Sequence, residues 1–473
     1  MAYDPKSMKA EDFVAEEEVE DSLAWGKAHA QDHALIDAIL EKAAKVKGLT
    51  HREAAALLFV EDEDELRRIK ALAMKIKQEI YGNRIVLFAP LYLSNYCVNG
   101  CVYCPYHGEN GHIRRKKLTQ DEIRKEVIAL QDMGHKRLAL EAGEDDVRNP
   151  IEYILESIHT IYSIHHKNGA IRRVNVNIAA TTVENYKKLH EAGIGTYILF
   201  QETYNKKAYE RMHPHGPKSN WAYHTEAMDR AQQGGIDDVG VGALFGLYDW
   251  RYDFVALLMH AEHLEAVFGV GPHTVSVPRV RRADGIDPKA FPYAVDDRNF
   301  ERIVAVLRIT VPYTGMIIST RESKKIREAA LSLGVSQISG ASSTSVGGYS
   351  EKESEEDDSR QFEVSDNRTL DQVIHWLLDL GYVPSFCTAC YREGRTGDRF
   401  MRLAKTGEIK NCCHPNALLT MKEYLEDYAS ASTKSLGEKV IRQELPKIPR
   451  PAVRQKAEHL LQDLAAGGRD FRF

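Results

Sequence analysis

The chain has 473 residues, 43% hydrophobic and 28% charged, with a formal net charge of -6. That balance fits a large soluble core and excludes the basic face that nucleic acid requires. The acidic stretch Met1 to Asp21 lacks the parts of a signal peptide, and no apolar run reaches the ~18 residues that span a bilayer, so the expected home is the cytoplasm, with no membrane partner.

Residues 1–84 read as a charged, helical N-terminal extension. Thr50-His51-Arg52-Glu53 has the form of a capping box, with Ala54, Leu57 and Leu58 facing inward. His29, His33 and His51 read as surface or satisfied histidines. From Ile85 the pattern alternates between short apolar strands and amphipathic helices. The strand candidates are Ile85–Ser94, Arg137–Glu141, Arg173–Ala179, Tyr197–Gln201, Asp238–Phe245, His273–Pro278, Met316–Thr320 and Gln337–Gly340. Thr119-Gln120-Asp121-Glu122 opens the first intervening helix, and Tyr252 to Phe268 has the clearest helical period. Eight such units over about 260 residues predict a closed (β/α)8 barrel over 85–350; two false strands would leave an open sheet instead. Residues 351–473 read as a mostly helical C-terminal domain. It begins with an acidic run, Glu351 to Asp358, expected to be a solvated loop, followed by a helix over Leu370 to Leu380. A proline-containing linker, Pro446 to Pro451, precedes a closing helix that runs to about Leu464.

The seven cysteines fall in two groups, at 97, 101 and 104 and at 387, 390, 412 and 413. In a cytoplasmic chain they point to metal or redox work rather than disulfides. Cys97, Cys101 and Cys104 have the spacing C-x3-C-x2-C in a glycine-containing loop after the first strand. Three thiolates can hold three irons of a cubane and leave the fourth open, whereas ferredoxins supply four. A structural zinc site with His107 as fourth ligand is the alternative. Cys387, Cys390 and Cys413 again give three thiolates, spaced C-x2-C-x22-C; with Cys412 they could also close a zinc site. In a (β/α)8 barrel the reacting groups stand at the C-terminal strand ends, where the first loop also lies. Glu141-Ala142-Gly143-Glu144, Asn175, Asn177, Glu202, Ser319, Arg321, Ser339 and Ser342 fall at such ends. Any one of them is ordinary, since barrel strands meet water there; their convergence on the cysteine side is the signal. Arg321 suits a bidentate carboxylate clamp, and Ser319 and Ser342 suit the remaining polar contacts of an amino acid.

The first triad, with an aromatic residue before Cys104, resembles the signature of the radical S-adenosylmethionine (SAM) superfamily. Ala142-Gly143-Glu144 is similar to that superfamily's Gly-Gly-Glu element for the SAM amino group, with alanine for the first glycine; Glu202 and Asn177 are further candidates for SAM. Both triads, Ser385 to Leu418 and Arg172 to Asn177 together resemble the tyrosine-cleaving radical-SAM maturases of [FeFe]-hydrogenase, over about Ile85 to Tyr428. The resemblance implies a SAM-binding [4Fe-4S] cluster on Cys97, Cys101 and Cys104 and an auxiliary cluster on Cys387, Cys390 and Cys413. Cys412 departs from the pattern and is read as a bystander. His273 is implied to hold a labile fifth iron together with a non-protein cysteine. The implied reaction takes hydrogen from the amine of L-tyrosine, breaks the Cα–Cβ bond to p-cresol and dehydroglycine, and turns the latter into carbon monoxide and cyanide on iron. A low-potential electron donor and other maturation proteins are the implied partners. A 2-iminoacetate synthase of thiamine synthesis, a radical-SAM enzyme on another amino acid, and a non-enzymatic metal or iron–sulfur carrier remain open.

Overall fold

The computed structural model describes residues 2–351 and 359–473. Beyond Glu351, the acidic run expected to be a solvated loop lies outside the described residues.

The eight expected strands are present: β1 (Arg84–Ser94), β2 (Arg137–Ala142), β3 (Arg173–Asn177), β4 (Tyr197–Ile198), β5 (Val239–Gly242), β6 (Thr274–Ser276), β7 (Gly315–Ile318) and β8 (Gln337–Ser339). Each pairs in parallel with the next, and β8 returns to β1 with Val86 opposite Gln337 and Phe88 opposite Ser339. The sheet is therefore a closed barrel, as the alternation predicted. Its strands are covered on both faces, which explains why Ile85 to Leu93 reads as a near-continuous apolar run instead of an alternation. A two-stranded hairpin, His165–His166 with Gly169–Ala170, stands apart from it.

Helices follow the strands around the outside. Gln120–Asp132 opens on Thr119, whose hydroxyl accepts from the Glu122 amide while the Glu122 carboxylate takes the Thr119 amide. Trp250–Phe268 and Asp297–Thr310 carry the most buried outer faces and receive the N-terminal helices, among them His51–Leu58 and Glu63–Tyr81. Among the described residues no helix is long and apolar enough to cross a membrane.

A ninth strand, β9 (Val383–Ser385), comes from the C-terminal part and was absent from the sequence expectation. It pairs with Arg84–Val86 of β1, just short of the place where β2 takes over at Ala89. β9 thus extends the β2 side of β1 toward the N-terminal mouth. Cys387 follows two residues later, so the chain enters that mouth directly. Thr396 and the amide of Gly397 bond Asp237 and Asp238 at the foot of β5, at 2.9 and 3.0 Å. Val270, Phe400, Met401, Ala404 and Ile409 form a small apolar cluster of their own that seals the join.

His51 fastens the N-terminal extension. Its Nδ1 lies 2.7 Å from Glu262 and its Nε2 3.1 Å from Glu18, and its amide donates to Glu262 at 2.9 Å. Burial pulls the imidazole pKa down, but Glu262 and Glu18 outweigh it and raise it above 6.5. A raised folded-state pKa stabilises fully below the unfolded value, and that stability is lost as pH climbs through the folded value. Amides of His51–Leu58 are therefore expected to lose exchange protection as pH climbs above the ordinary histidine value, and His51→Gln to remove that pH dependence; hydrogen exchange at matched intrinsic rates measures both.

Candidate active site

The cysteine loop leaves the C-terminal end of β1. Its register is fixed by three backbone bonds to two neighbouring segments: Val98 N–H to Glu144 O at 2.8 Å, Gly100 N–H to His215 O at 3.2 Å and Val102 N–H to Met212 O at 3.1 Å. Cys97, Cys101 and Cys104 line one cavity with Ala142, Gly143, Glu144, Asn177, Glu202, Lys218 and Arg321; it holds ≈ 1070 Å³ of space, part of it open to solvent. Gly143 permits the arrangement. A Cβ there would stand 2.3 Å from the Tyr96 carbonyl oxygen and 3.0 Å from Cys97 Cβ, so only glycine lets the end of β2 approach the loop.

Asn99 clasps the site. Its Nδ2 donates to Glu144 at 2.6 Å and lies 3.7 Å from Cys97 Sγ, while its Oδ1 accepts from the Lys218 amide at 2.9 Å. The Lys218 ammonium in turn pairs with Glu202 at 2.7 Å. Glu202 holds a left-handed backbone (φ 70), an uncommon state for this residue that marks a locally imposed geometry. Burial raises the Glu144 pKa against the pull of Asn99 and Lys218. It also pushes the Cys101 thiol up to about 12 and raises Cys104. Thiols in that state become good ligands only when a cation displaces their protons. Among the described residues no three His, Cys, Asp or Glu side chains gather closely enough to hold one metal ion. A cubane takes each thiolate on a different iron and asks for a wider setting, which suits this loop.

Below this cavity, within the barrel, a second one of ≈ 690 Å³ is lined by Phe88, Tyr92, Glu141, Asn177, Phe200, Ser319, Arg321 and Phe362, among others. Tyr92, Glu141, Asn177, Phe200, Arg321 and Gln361 belong to both. The Arg321 guanidinium stacks 3.7 Å from the centre of the Phe362 ring, and among the described residues nothing hydrogen-bonds it. A guanidinium left so on a cavity wall is placed for an incoming carboxylate. Ser319 joins this wall. Ser342 does not: its hydroxyl is buried without a partner beside a separate surface cleft of Ser343, Tyr349 and Tyr428. Lys218, Asn99 and Gln361 escaped the sequence reading, since each works through a partner far away in the chain.

The other cysteines meet at the opposite mouth. Cys413 Sγ lies 3.6 Å from Cys390 and 3.9 Å from Cys412. The Cys390 sulfur pulls the Cys413 thiol pKa down, but Cys412 and burial push it up to about 12. Cys387, also left-handed (φ 46), acts on the guanidinium of Arg137. Arg84, Arg137 and Arg173 are the first residues of β1, β2 and β3 and are buried. Arg84 acts on Cys413, and Arg395 on Cys390, Cys412 and Cys413. Among the described residues Arg84 Nη2, Arg137 Nε, Arg395 Nε and Asn416 Nδ2 are buried donors with no acceptor. Unmet donors around thiols fit an anionic group held there. An arginine opening each of three apolar strands was the sequence signal for this ring.

His273 precedes β6 at the same mouth. Its Nδ1 is buried without a hydrogen bond, 3.4 Å from Asp238, and its ring lies 4.7 Å from that of Phe400. Burial lowers its pKa to about 4, with Asp238 opposing and Arg173 and Arg137 assisting. The ring is neutral and free to bind a metal. His107, the alternative zinc ligand, is not among the residues lining the cavity with Cys97, Cys101 and Cys104.

A barrel with three thiols, a glycine-cradled carboxylate and a free arginine at its C-terminal mouth defines a radical SAM enzyme. The family model of the radical SAM superfamily matches residues 91–258, and that of the biotin and thiamin synthesis associated domain matches 276–383. The 2-iminoacetate synthase of Escherichia coli K12 is 29% identical over 364 residues, 76% of this chain and 93% of that protein. The crystal structure of a HydG, a maturase of the [FeFe]-hydrogenase, is 56% identical with a TM-score of 0.94, covering 98% of this chain and all of that one (100%). HydG from Carboxydothermus hydrogenoformans is 37% identical with a TM-score of 0.81, over 96% of this chain and 99% of that one. The chain belongs to the HydG family of hydrogenase maturases.

Gly143→Ala is expected to push the cysteine loop off the end of β2. A displacement of ~1 Å at a reacting centre costs roughly 10²-fold, so SAM cleavage should fall by that order while the circular dichroism spectrum is kept. Cleavage assayed with dithionite as reductant reads the effect.

Proposed function

We propose that the chain cleaves the Cα–Cβ bond of L-tyrosine to p-cresol and dehydroglycine, converts the latter to carbon monoxide and cyanide, and joins them to iron as a synthon for the hydrogenase H-cluster. The observation that carries this reading is the pair of thiol groups at opposite mouths of one barrel, three cysteines at one and four at the other, with polar groups left free around them. When bound, the [4Fe-4S] cluster and SAM supply the 5′-deoxyadenosyl radical at the first mouth, and an auxiliary cluster supplies iron at the second.

The chain's own residues position and shield. Cys97, Cys101 and Cys104 hold the first cluster. Ala142, Gly143 and Glu144 receive the SAM amino group, and Glu202, braced by Lys218, and Asn177 take its other polar atoms. Arg321 and Ser319 take the tyrosine carboxylate. The apolar wall of Phe88, Phe200 and Phe362 keeps water from the substrate. At the far mouth Cys387, Cys390 and Cys413 hold the auxiliary cluster, and neutral His273, with a non-protein cysteine, holds the added iron. Ser342 takes no part in this scheme. A low-potential electron donor serves the first mouth, and other maturation proteins receive the product.

A 2-iminoacetate synthase is the second reading, favoured by the identity to that enzyme. It has no use for buried donors around Cys387, Cys390 and Cys413. Cys413→Ala separates the two: p-cresol should still form from tyrosine at close to the wild-type rate, with cyanide and the iron–carbonyl bands in the infrared lost. Loss of p-cresol as well, in a protein that still binds SAM, would sink the division of labour. Arg321→Met is expected to lower kcat/KM for tyrosine by roughly 10²-fold or more, since losing one partner of a buried charge pair costs about 3 kcal/mol; steady-state p-cresol release checks it.

A further inference from the structure

Removing a hydrogen atom from the amine of an amino acid calls for the uncharged amine, whereas a free amino acid arrives as an ammonium. Some group must take that proton. It has to lie near the carboxylate clamp, because amine and carboxylate share one carbon.

Glu141 stands there. It is the last glutamate of β2 before Ala142, and it lines both cavities together with Arg321. The side chain is not needed elsewhere: the SAM-facing acids are Glu144 and Glu202, each held by its own partner, Asn99 and Lys218. The groups acting on Glu141 are Arg321, from the turn after β7, Asn177 of β3, and Tyr92 of β1, whose hydroxyl is held by Gln361 at 2.9 Å. Arg321 is thus both its nearest cation and the clamp for the substrate carboxylate.

We propose that Glu141 is a catalytic residue that binds the substrate's α-ammonium group and accepts one proton from it. One N–H bond breaks and one O–H bond forms at a carboxylate oxygen of Glu141; no electrons change hands, and the amine is left neutral for hydrogen-atom removal. In the inner cavity, where Arg321 is the arginine on the wall and Arg281 and Lys218 line the outer one, the substrate carboxylate matches Arg321, and a neutral acid beside a neutral amine is favoured over a second buried ion pair. Burial supports this by lifting the Glu141 carboxyl well above the ordinary range, against Arg321 and Asn177. The direction is the one that makes a carboxylate a stronger base.

The inference rests on the tyrosine-lyase reading, and wild-type p-cresol formation is its control. Without p-cresol from the wild type the reading itself fails. With it, the reconstituted Glu141→Gln enzyme should form p-cresol at least about 10²-fold more slowly near neutral pH, the size of a lost general base, and recover as pH rises and solvent takes the proton. Iron content and SAM affinity show that the variant is assembled. A wild-type rate, or a deficit equal at every pH, overturns the proposal. Should Glu141→Gln fail to assemble, Glu141→Asp decides: an acid limb displaced from that of the wild type supports the role, and an unmoved limb removes it.

Discussion

The pairing of β8 with β1 is the constraint on which the rest depends. Because every strand is parallel, closing the ring sends all strand tails to one rim and all strand heads to the other. β1 belongs to both rims. Its tail releases Cys97, Cys101 and Cys104, and its head, paired with β9, receives the segment that carries Cys387, Cys390 and Cys413. Without that ring the two thiol groups would have no fixed relation.

The rims differ in charge. The strand tails present Glu141, Glu144 and Glu202, balanced by Arg321 and Lys218. That mixture suits molecules that carry an ammonium and a carboxylate together, as SAM and amino acids both do. The strand heads present Arg84, Arg137 and Arg173 with Asp238 as the nearby acid, and the plug adds Arg395. Such a ring suits thiolates, sulfide and cyanide, and buried cations of this kind are tolerable only when anions meet them. An anionic fragment released at one rim would be attracted to the other.

Much of this was legible in the sequence, for physical reasons. Strands buried on both faces leave continuous apolar runs, and the first three thiols sit close in sequence on one loop. Side chains at strand tails fall at a fixed place relative to those runs, and Glu144, Glu202, Ser319 and Arg321 do line the cavities there. What stayed hidden depends on long-range partners. Lys218 reaches Glu202 from a turn whose path no periodicity reveals, and Asn99 is one polar residue in a loop full of them. β9 is only three residues long, Val383–Ser385, too short to stand out before the sheet accepts it. Ser342 misled because two residues beyond β8 the chain turns outward through Ala341, in the left-handed region at φ 49.

The length of β1 has a last consequence. Val86, level with the plug, and Ser94, at the cysteine loop, are eight residues apart, about 26 Å at ~3.3 Å per residue. Packed aliphatic side chains fill much of that interval. Over such a span the two thiol groups can share neither a ligand nor a single bound group.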